Sequence, residues 1–170
     1  MADRREKRSQ LIILSCLDAV EPGVMRRFPR HLTLVPWFSL PLDGIDGLKS
    51  ALASTARRLA PIELTGGDEA CFGETGEARV RLLQDATLAK LAHLTLFRLV
   101  EEHGGHLRSP QFCGANYVPH VTLQEDGWLE YHESRRLNRI QLGQAVDSAH
   151  GGRRIVDNYK LGESWHPSKG

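Results

Sequence analysis

The sequence predicts one domain that mixes helices and strands and is made of two similar lobes. Its 170 residues fit a single domain with one substantial hydrophobic core. Strand-like apolar runs occur together with two amphipathic helical segments. A short His-x-Thr-x pattern appears at His31 and again at His120, 89 positions later. Because one copy lies in each half of the chain, we expect each lobe to carry one copy.

Composition limits the classes of function. The chain is 41% hydrophobic and 25% charged, which is typical of a soluble globular protein. A formal net charge of +1 argues against a protein that coats nucleic acid. Recognition of one terminal phosphate remains open, since it needs only a few positive groups.

Cysteine and histidine spacing predicts neither disulfides nor a metal site. Cys16, Cys71 and Cys113 are far apart and form no CxxC pair, which favours a reducing compartment. No HExxH or CxxC spacing is present, so we expect no metal and no cofactor. The apolar run before Cys16 is shorter than a secretory core of about 7–15 residues. We therefore expect a cytoplasmic protein.

The first half of the chain reads as four strands and a helix. Strands are predicted over residues 11–17, 30–38, 62–72 and 78–83, the last two joined by a turn at 73–76. A helix is predicted over 44–60, with Asp43 as its N-cap and Pro61 ending it.

The second half repeats this material in a similar order. Asp85 is placed to cap a helix over 86–103, and Gly104 and Gly105 are placed to end it. Strands are predicted over 117–124, 138–146 and 153–161, with a turn at residues 151–152. No linker divides the halves, so residues 1–170 are expected to form one domain.

The alternation of side chains along a strand predicts which face each residue of the two His-x-Thr-x stretches occupies. His31 and Thr33 point to one face while Leu32 and Leu34 point to the other. The second stretch, around His120, alternates in the same way. If the lobes face each other, the groove between them receives two histidines and two threonines.

Such a set is suited to phosphoryl chemistry. Imidazole has a pKa of about 6.5, so near neutrality one ring can accept a proton while another donates one. His31 and His120 could act on opposite sides of a phosphorus atom, an effect typically worth about 10²–10⁴-fold in rate. The hydroxyls of Thr33 and Thr122 could donate hydrogen bonds to non-bridging phosphate oxygens. A single copy would more often be the polar face of a strand, but two matched copies favour a site.

The stretches HLTL and PHVTL resemble the paired HxTx signatures of the 2H phosphoesterase superfamily. The closest resemblance is to the LigT-like 2'-5' RNA ligase and RNA 2',3'-cyclic phosphodiesterase family. It extends in order from the strand at 11–17 to the strand at 153–161. It implies an α+β, bilobed fold with two antiparallel sheets flanked by helices around a central groove.

The resemblance also implies an activity. Members open 2',3'-cyclic phosphates to 2'-phosphates without a metal, and some join RNA ends through a 2'-5' linkage. It makes His31 and His120 the catalytic acid–base pair, and Thr33 and Thr122 the phosphate binders. We expect His120 to activate water and His31 to protonate the leaving oxygen. The expected partner is RNA with a terminal 2',3'-cyclic phosphate or a small cyclic nucleotide, with no membrane and no obligate protein partner.

One departure from the family pattern bears on the substrate. Many members carry a basic residue shortly after the second motif, whereas Gln124, Glu125 and Asp126 follow it here. Acidic residues weaken binding of a long phosphate backbone, so a small or differently oriented substrate is favoured.

Further candidates surround the motifs. Tyr117 and Trp37 could stack on a nucleobase, or pack in the core or at the rim. Arg30, with Arg26 and Arg27, could steer a phosphate, or form a solvated basic loop.

For the other polar residues, the sequence either leaves the location undecided or predicts the protein surface. Arg79 and Arg81 share a strand face that is either groove or solvent. The remaining histidines are expected at the surface: His93, His103, His106, His132, His150 and His166.

Two other functions stay open. A nucleotide-binding module could keep the groove with little turnover. A hydrolase could act on another nucleotide phosphodiester, such as a 2'-5' oligonucleotide or a cyclic ADP-ribose phosphate.

Overall fold

A computed structural model describes residues 6–147 and 151–163. These residues contain two α-helices, α1 (Ile45–Arg58) and α2 (Thr87–Glu102), and short 3₁₀ turns at Leu42–Gly44, Pro110–Phe112 and Gly114–Asn116. The strands are β1 (Arg8–Cys16), β2 (His31–Pro41), β3 (Ile62–Phe72), β4 (Ala78–Leu83), β5 (His106–Leu107), β6 (His120–Thr122), β7 (Ser134–Leu137), β8 (Arg139–Asp147) and β9 (Gly152–Lys160).

All the strands pair in an antiparallel sense, in the order β7-β3-β4-β6-β2-β1-β8-β9, and β5 pairs with β2 off this path. The α+β class and the antiparallel strands flanked by helices are confirmed. The strands expected in two sheets are joined, because β6 pairs with β2 at Leu32 and Val121. This junction divides the strands into two sets, with β7, β3, β4 and β6 on one side and β2, β1, β8 and β9 on the other. Each set contains strands from both halves of the chain.

The main core lies on one face of the sheet, beneath the helices. Leu32, Leu34 and Val121 are fully buried there and belong to the same apolar cluster as Leu48 of α1 and Leu96 of α2. Leu32, Leu34 and Val121 therefore face the core, as side-chain alternation predicts. Leu123, the last residue of the second motif, lies beyond the end of β6 and is exposed, so its expected burial was wrong. The histidines and threonines project from the opposite face.

A β-bulge in β2 follows the first motif directly. Thr33 lies opposite Leu14, but Val35 lies opposite Ile13, so Leu34 is an extra residue in β2. Leu34 and Val35 are consequently both buried in the core. Such bulges re-aim side chains locally, and here the inward set of β2 changes just beyond the motif.

The helix boundaries correct both predicted N-caps, because Gly44 is the N-cap of α1 and Ala86, one residue after Asp85, is the N-cap of α2. The 3₁₀ turn Leu42–Gly44 runs directly into α1, and no side chain among the described residues caps this helix, so the prediction of Asp43 as N-cap was wrong. Asp43 lies instead within the turn, where the positive end of the helix dipole favours a carboxylate. Ahead of α2, Asp85 accepts a hydrogen bond from the Thr87 amide at 2.9 Å. Gly104, at φ 78°, follows the end of α2 as predicted.

Two strand predictions need adjustment. The strand predicted over 117–124 is confined to His120–Thr122, because Pro119 has no N–H to donate to a ladder. β1 begins at Arg8, three residues earlier than predicted. The predicted turn between β8 and β9 includes Gly151 at φ 65°, while residues 148–150 lie outside the described part.

No α-helix within the described ranges has the length and apolar character needed to cross a membrane.

Candidate active site

The two motifs meet where the two sets of strands join. Leu32 and Val121 are paired across β2 and β6. One residue to either side, the antiparallel register sets His31 opposite Thr122 and Thr33 opposite His120. Directly opposed Cβ atoms lie about 4.5–5.5 Å apart, and diagonal ones about 7–8 Å. The predicted residues His31, Thr33, His120 and Thr122 therefore form one quartet on one face of the sheet.

Both histidines are held by the same local hydrogen bond. His31 Nδ1 lies 2.7 Å from the Pro29 carbonyl oxygen, and His120 Nδ1 lies 2.8 Å from the Val118 carbonyl oxygen. A carbonyl oxygen can only accept, so Nδ1 must carry the hydrogen in both rings. When a ring is neutral, its Nε2 therefore bears the lone pair. The hydrogen bond at Nδ1 thus leaves Nε2 as the nitrogen of each ring that it does not occupy.

An aromatic ring also meets each imidazole edge to face. Phe28 lies 6.0 Å from His31 between ring centroids, at an interplanar angle of 85°. Phe72 lies 4.8 Å from His120, at 82°. These contacts restrict rotation of both imidazoles.

The electrostatic surroundings favour neutral imidazoles. Burial lowers the pKa of His31, and the charges of His120 and Arg153 lower it further, whereas the Pro29 hydrogen bond and Asp126 oppose the shift. Burial also lowers the pKa of His120, against the hydrogen bond to Val118. Both rings can therefore supply a neutral Nε2 in weakly acidic solution.

The groove floor beside the quartet is largely apolar. Cys16 pairs with His31 across β1 and β2, and Leu82 pairs with His120 across β4 and β6, so both share the face of the quartet. Burial, with smaller effects of Asp18 and Asp126, raises the pKa of the Cys16 thiol to about 12. Cys16 therefore stays a neutral thiol and is poorly suited to act as a nucleophile.

Tyr117 lies beneath the quartet and is only 7% exposed. Its hydroxyl donates a hydrogen bond of 2.7 Å to the Thr33 carbonyl oxygen. Its ring stacks on His93 at 3.9 Å between centroids. This placement matches the core-packing alternative for Tyr117 and gives the residue a supporting contact to the first motif.

Trp37 is half-buried on the groove face, where it belongs to a second apolar cluster. Its ring stacks on Phe28, 6.3 Å between centroids. Phe28 in turn lies over Gly143, where an added Cβ would come within 2.6 Å of the Phe28 ring. Arg153 packs on both rings, with its guanidinium carbon 5.5 Å from the Phe28 ring centroid and 5.6 Å from that of Trp37. Phe28, Trp37 and Arg153 together form the wall beside His31. The sequence pattern gives no sign of Arg153, because β9 reaches this wall only through the strand order.

Arg30 joins segments from different parts of the chain. Its Nε donates to Asp18 at 2.8 Å, and its Nη1 donates to the Trp128 carbonyl oxygen. Glu133 lies 3.6 Å from the same Nη1. The Arg30 amide donates to Asp126 Oδ2 at 3.0 Å. The structure thus gives the Arg30 guanidinium protein partners, and it places Asp126 at the start of the first motif.

The face shared by Arg79 and Arg81 is not the groove. Arg81 pairs with Val121, whose side chain lies in the core, so both arginines project away from the quartet. Arg81 is buried, donates to the Leu129 and Gly67 carbonyl oxygens, and lies over the Trp128 ring.

The surface assignment of His93 was wrong, because this side chain is fully buried. The sequence carries a signal for its burial: His93 stands on the same stripe of α2 as Ala89, Leu96 and Val100, all of which are buried. His103, His106 and His132 are half-buried or exposed, as expected. His150 and His166 lie outside the described residues.

Among residues 6–147 and 151–163, no group of three or more histidine, cysteine, aspartate or glutamate side chains is placed to hold a metal ion.

Comparisons with solved structures find the same fold over nearly the whole chain. A phosphoesterase crystal structure matches with a TM-score of 0.65 and 14% identity, covering 92% of this chain and 99% of its own. E. coli LigT complexed with 3'-AMP matches with a TM-score of 0.64 and 17% identity, covering 91% and 99%. A Thermus thermophilus protein matches with a TM-score of 0.59 and 17% identity, again covering 91% and 99%.

No protein-family model and no curated protein matches the sequence. Identities of this size establish a common fold. The chain therefore has the fold of E. coli LigT and of the matched phosphoesterase.

Proposed function

We propose that this protein is a phosphodiesterase that opens 2',3'-cyclic phosphates of RNA ends or nucleotides to 2'-phosphates. The observation that carries the proposal is the matched anchoring of His31 and His120. In each ring, Nδ1 donates a hydrogen bond to the carbonyl oxygen two residues earlier, which leaves Nε2 for a substrate on the quartet face. Two such nitrogens with a threonine hydroxyl beside each suit a phosphorus centre better than a passive strand face.

In the proposed step, water attacks phosphorus while neutral His120 takes its proton at Nε2. Protonated His31 donates the proton on its Nε2 to the 3' oxygen as the bond from phosphorus to that oxygen breaks. The product is a 2'-phosphate with a free 3' hydroxyl, and one proton passes back through solvent to reset the pair. Hydroxyls of Thr33 and Thr122 donate to the non-bridging oxygens, where negative charge builds.

Ligation would use the same groups. A 5' hydroxyl in place of water can lose its proton to the same base and attack phosphorus, while the bond from phosphorus to the 3' oxygen breaks and that oxygen takes a proton from His31. Joining RNA ends through a 2'-5' linkage is therefore a second proposed activity. The nucleotide class of substrate is supported by analogy, since E. coli LigT has been solved with 3'-AMP and with NADP+.

A short substrate is favoured over a long RNA. Asp126 is held against the Arg30 amide, one residue before His31. Its carboxylate places negative charge where an extended phosphate backbone would leave the quartet, which would weaken binding of a long strand.

The proposal is tested with 2',3'-cyclic AMP and with a short RNA ending in a 2',3'-cyclic phosphate, both in the presence of EDTA. We expect hydrolysis of both to 2'-phosphates, with the cyclic mononucleotide at least as good a substrate. Nucleotide binding without turnover on either would favour the binding module instead. Turnover confined to 2'-5' oligonucleotides or to a cyclic ADP-ribose phosphate would replace the proposed substrate with that class.

A further inference from the structure

His93 is a buried histidine that the proposed reaction does not use. Its Nδ1 lies 2.6 Å from the Leu34 carbonyl oxygen, so Nδ1 carries the hydrogen. Its Nε2 accepts a hydrogen bond of 2.8 Å from the Gly114 amide. Both nitrogens are thus occupied, and the bond from Gly114 requires a neutral ring.

The two partners of His93 belong to different motif segments. Leu34 is the bulged residue directly after Thr33 in the first motif. Gly114 begins the 3₁₀ turn that leads through Tyr117 to His120 in the second motif. One imidazole on α2 therefore connects the backbone of both.

The two hydrogen bonds of His93, called the bridge from here on, lie beside a gap in the strand pairing of β2. β6 pairs with β2 at Leu32, and β5 pairs with it at Phe38 and Ser39. At Thr33 and Leu34, which lie between these pairings, side chains supply the donors that a strand would provide. Tyr117 donates to the Thr33 carbonyl, and His93, stacked on Tyr117, donates to the Leu34 carbonyl.

We infer that His93 is a positioning residue that sets the separation of the two HxTx motifs, with Tyr117 as its second support. The effect on turnover rests on the proposed function, whereas the effect on the geometry of the quartet does not. A lost bridge lets β2 shift relative to the segment before His120. Because both histidines must reach one phosphorus atom, a misplacement of about 1 Å can cost about 100-fold in rate.

Protonation of His93 would break the same bridge. A hydrogen on Nε2 would face the Gly114 amide hydrogen, so the ring could no longer accept. The groups packed against the ring are Phe97 on α2, and Tyr117 with the nearby Cys113 on the segment before β6. Burial raises the pKa of both Tyr117 and Cys113, so they stay neutral, and burial lowers the pKa of His93.

The test uses substitutions that remove one half of the bridge at a time. His93→Asn keeps a donor near the Nδ1 position, His93→Gln keeps an acceptor near the Nε2 position, and His93→Leu keeps neither. Tyr117→Phe removes only the bond to Thr33. His103→Asn is the matched control, since His103 Nδ1, within the described part of the chain, bonds the Leu99 carbonyl of α2 and neither motif segment.

Two readouts separate this inference from the proposed function. The first is long-range ¹H–¹⁵N NMR of the His31 and His120 imidazoles in the free protein. We expect both sets of signals to shift in His93→Leu, less in Asn and Gln, and not in His103→Asn. The second is turnover of 2',3'-cyclic AMP, where we expect kcat in His93→Leu to fall about 10- to 100-fold with little change in KM.

The outcomes are distinct. Unchanged imidazole signals in a folded His93→Leu protein would overturn the positioning role, whatever the activity. An inactive natural protein with shifted signals would overturn the proposed function and keep the positioning role. If His93→Leu does not fold, His93→Gln and Tyr117→Phe carry the same comparison, and unchanged signals in both would again overturn it.

Discussion

The smallest unit of the site is a histidine whose Nδ1 is tied to the carbonyl two residues earlier. His31 bonds Pro29 in this way, and His120 bonds Val118. Each bond fixes the tautomer and the ring direction without help from a distant residue. The tautomer of each imidazole is therefore determined by residues close to it in sequence.

The pH optimum of activity should be acidic. Burial lowers the pKa of both His31 and His120. A lowered pKa means that each ring loses its proton at a lower pH, so the window with one neutral and one protonated ring moves down. We expect a bell-shaped profile of kcat/KM whose alkaline limb lies below about 6.5, the ordinary value for imidazole. An alkaline limb well above that value would contradict the assignment of the acid.

Loss of a threonine hydroxyl should slow the reaction without unfolding the protein. Thr33→Val and Thr122→Val keep the shape of the side chain and remove its donor. We expect each to lower kcat/KM for 2',3'-cyclic AMP by about 10²–10³-fold, the cost of losing one donor to a charged transition state. Thr33→Ser and Thr122→Ser retain the hydroxyl and serve as controls. Equal activity of the Val and Ser variants would exclude a phosphate-binding role.

At the scale of elements, packing contacts of β2 and β8 shape the groove. The bulge at Leu34 sends Leu34 and Val35 into the core just after the motif. On β8, Gly143 leaves the space in which Phe28 lies, and Phe28 contacts His31 edge to face. The wall beside His31 thus depends on a missing side chain two strands away.

The same substitution at two glycines should change stability in opposite directions. In Gly143→Ala, the new Cβ would come within 2.6 Å of Phe28 and 2.8 Å of Ile12, so we expect a loss of about 1–3 kcal/mol in unfolding free energy. Gly47 lies inside α1, with only His103 near an added Cβ, at 3.9 Å. We therefore expect Gly47→Ala to gain about 0.4–1 kcal/mol. Chemical denaturation measures both, and a stabilised Gly143→Ala would refute the packing argument.

Strands with a clear alternation of apolar and polar residues could be predicted from the sequence, whereas short or polar strands could not. Alternation around His31 and His120 correctly places Leu32, Leu34 and Val121 in the core and the polar residues on the other face, but it fails at the exposed Leu123. The three-residue length of β6 reflects Pro119 and the register of its neighbours, and β7 (Ser134–Leu137) is too polar to stand out. His93 was misplaced because a histidine on an apolar stripe can be buried only if distant backbone groups satisfy it, and Leu34 and Gly114 do so.

At the scale of the whole molecule, Arg30 links parts of the chain that are far apart in sequence. It bonds Asp18 after β1 and the Trp128 carbonyl after β6, while its amide bonds Asp126. No pattern near the motif reveals the contacts with Asp126 and Trp128, since these residues lie 96 and 98 positions away from Arg30. The resemblance of the motifs predicted the fold, whereas these long-range contacts required the structure.

This arrangement separates two roles for Arg30. If it mainly links the chain, Arg30→Gln should lower the unfolding free energy by about 1–3 kcal/mol, the usual cost of a lost hydrogen bond to a charged group. KM for 2',3'-cyclic AMP should then stay within about twofold of the natural protein, since about 0.4 kcal/mol corresponds to twofold. Arg26→Gln, in the exposed part of the same loop, is the control. A large rise in KM at unchanged stability would show instead that Arg30 contacts substrate.

The central claim is that His31 and His120 act as one acid–base pair, and the most direct test is a double-mutant cycle on kcat. His31→Ala and His120→Ala should each lower kcat for 2',3'-cyclic AMP, in EDTA, by at least about 100-fold. The double variant should be little worse than either single one, because groups that act as a unit lose their effect together. Single variants that keep wild-type turnover, or losses that simply multiply in the double variant, would contradict the claim.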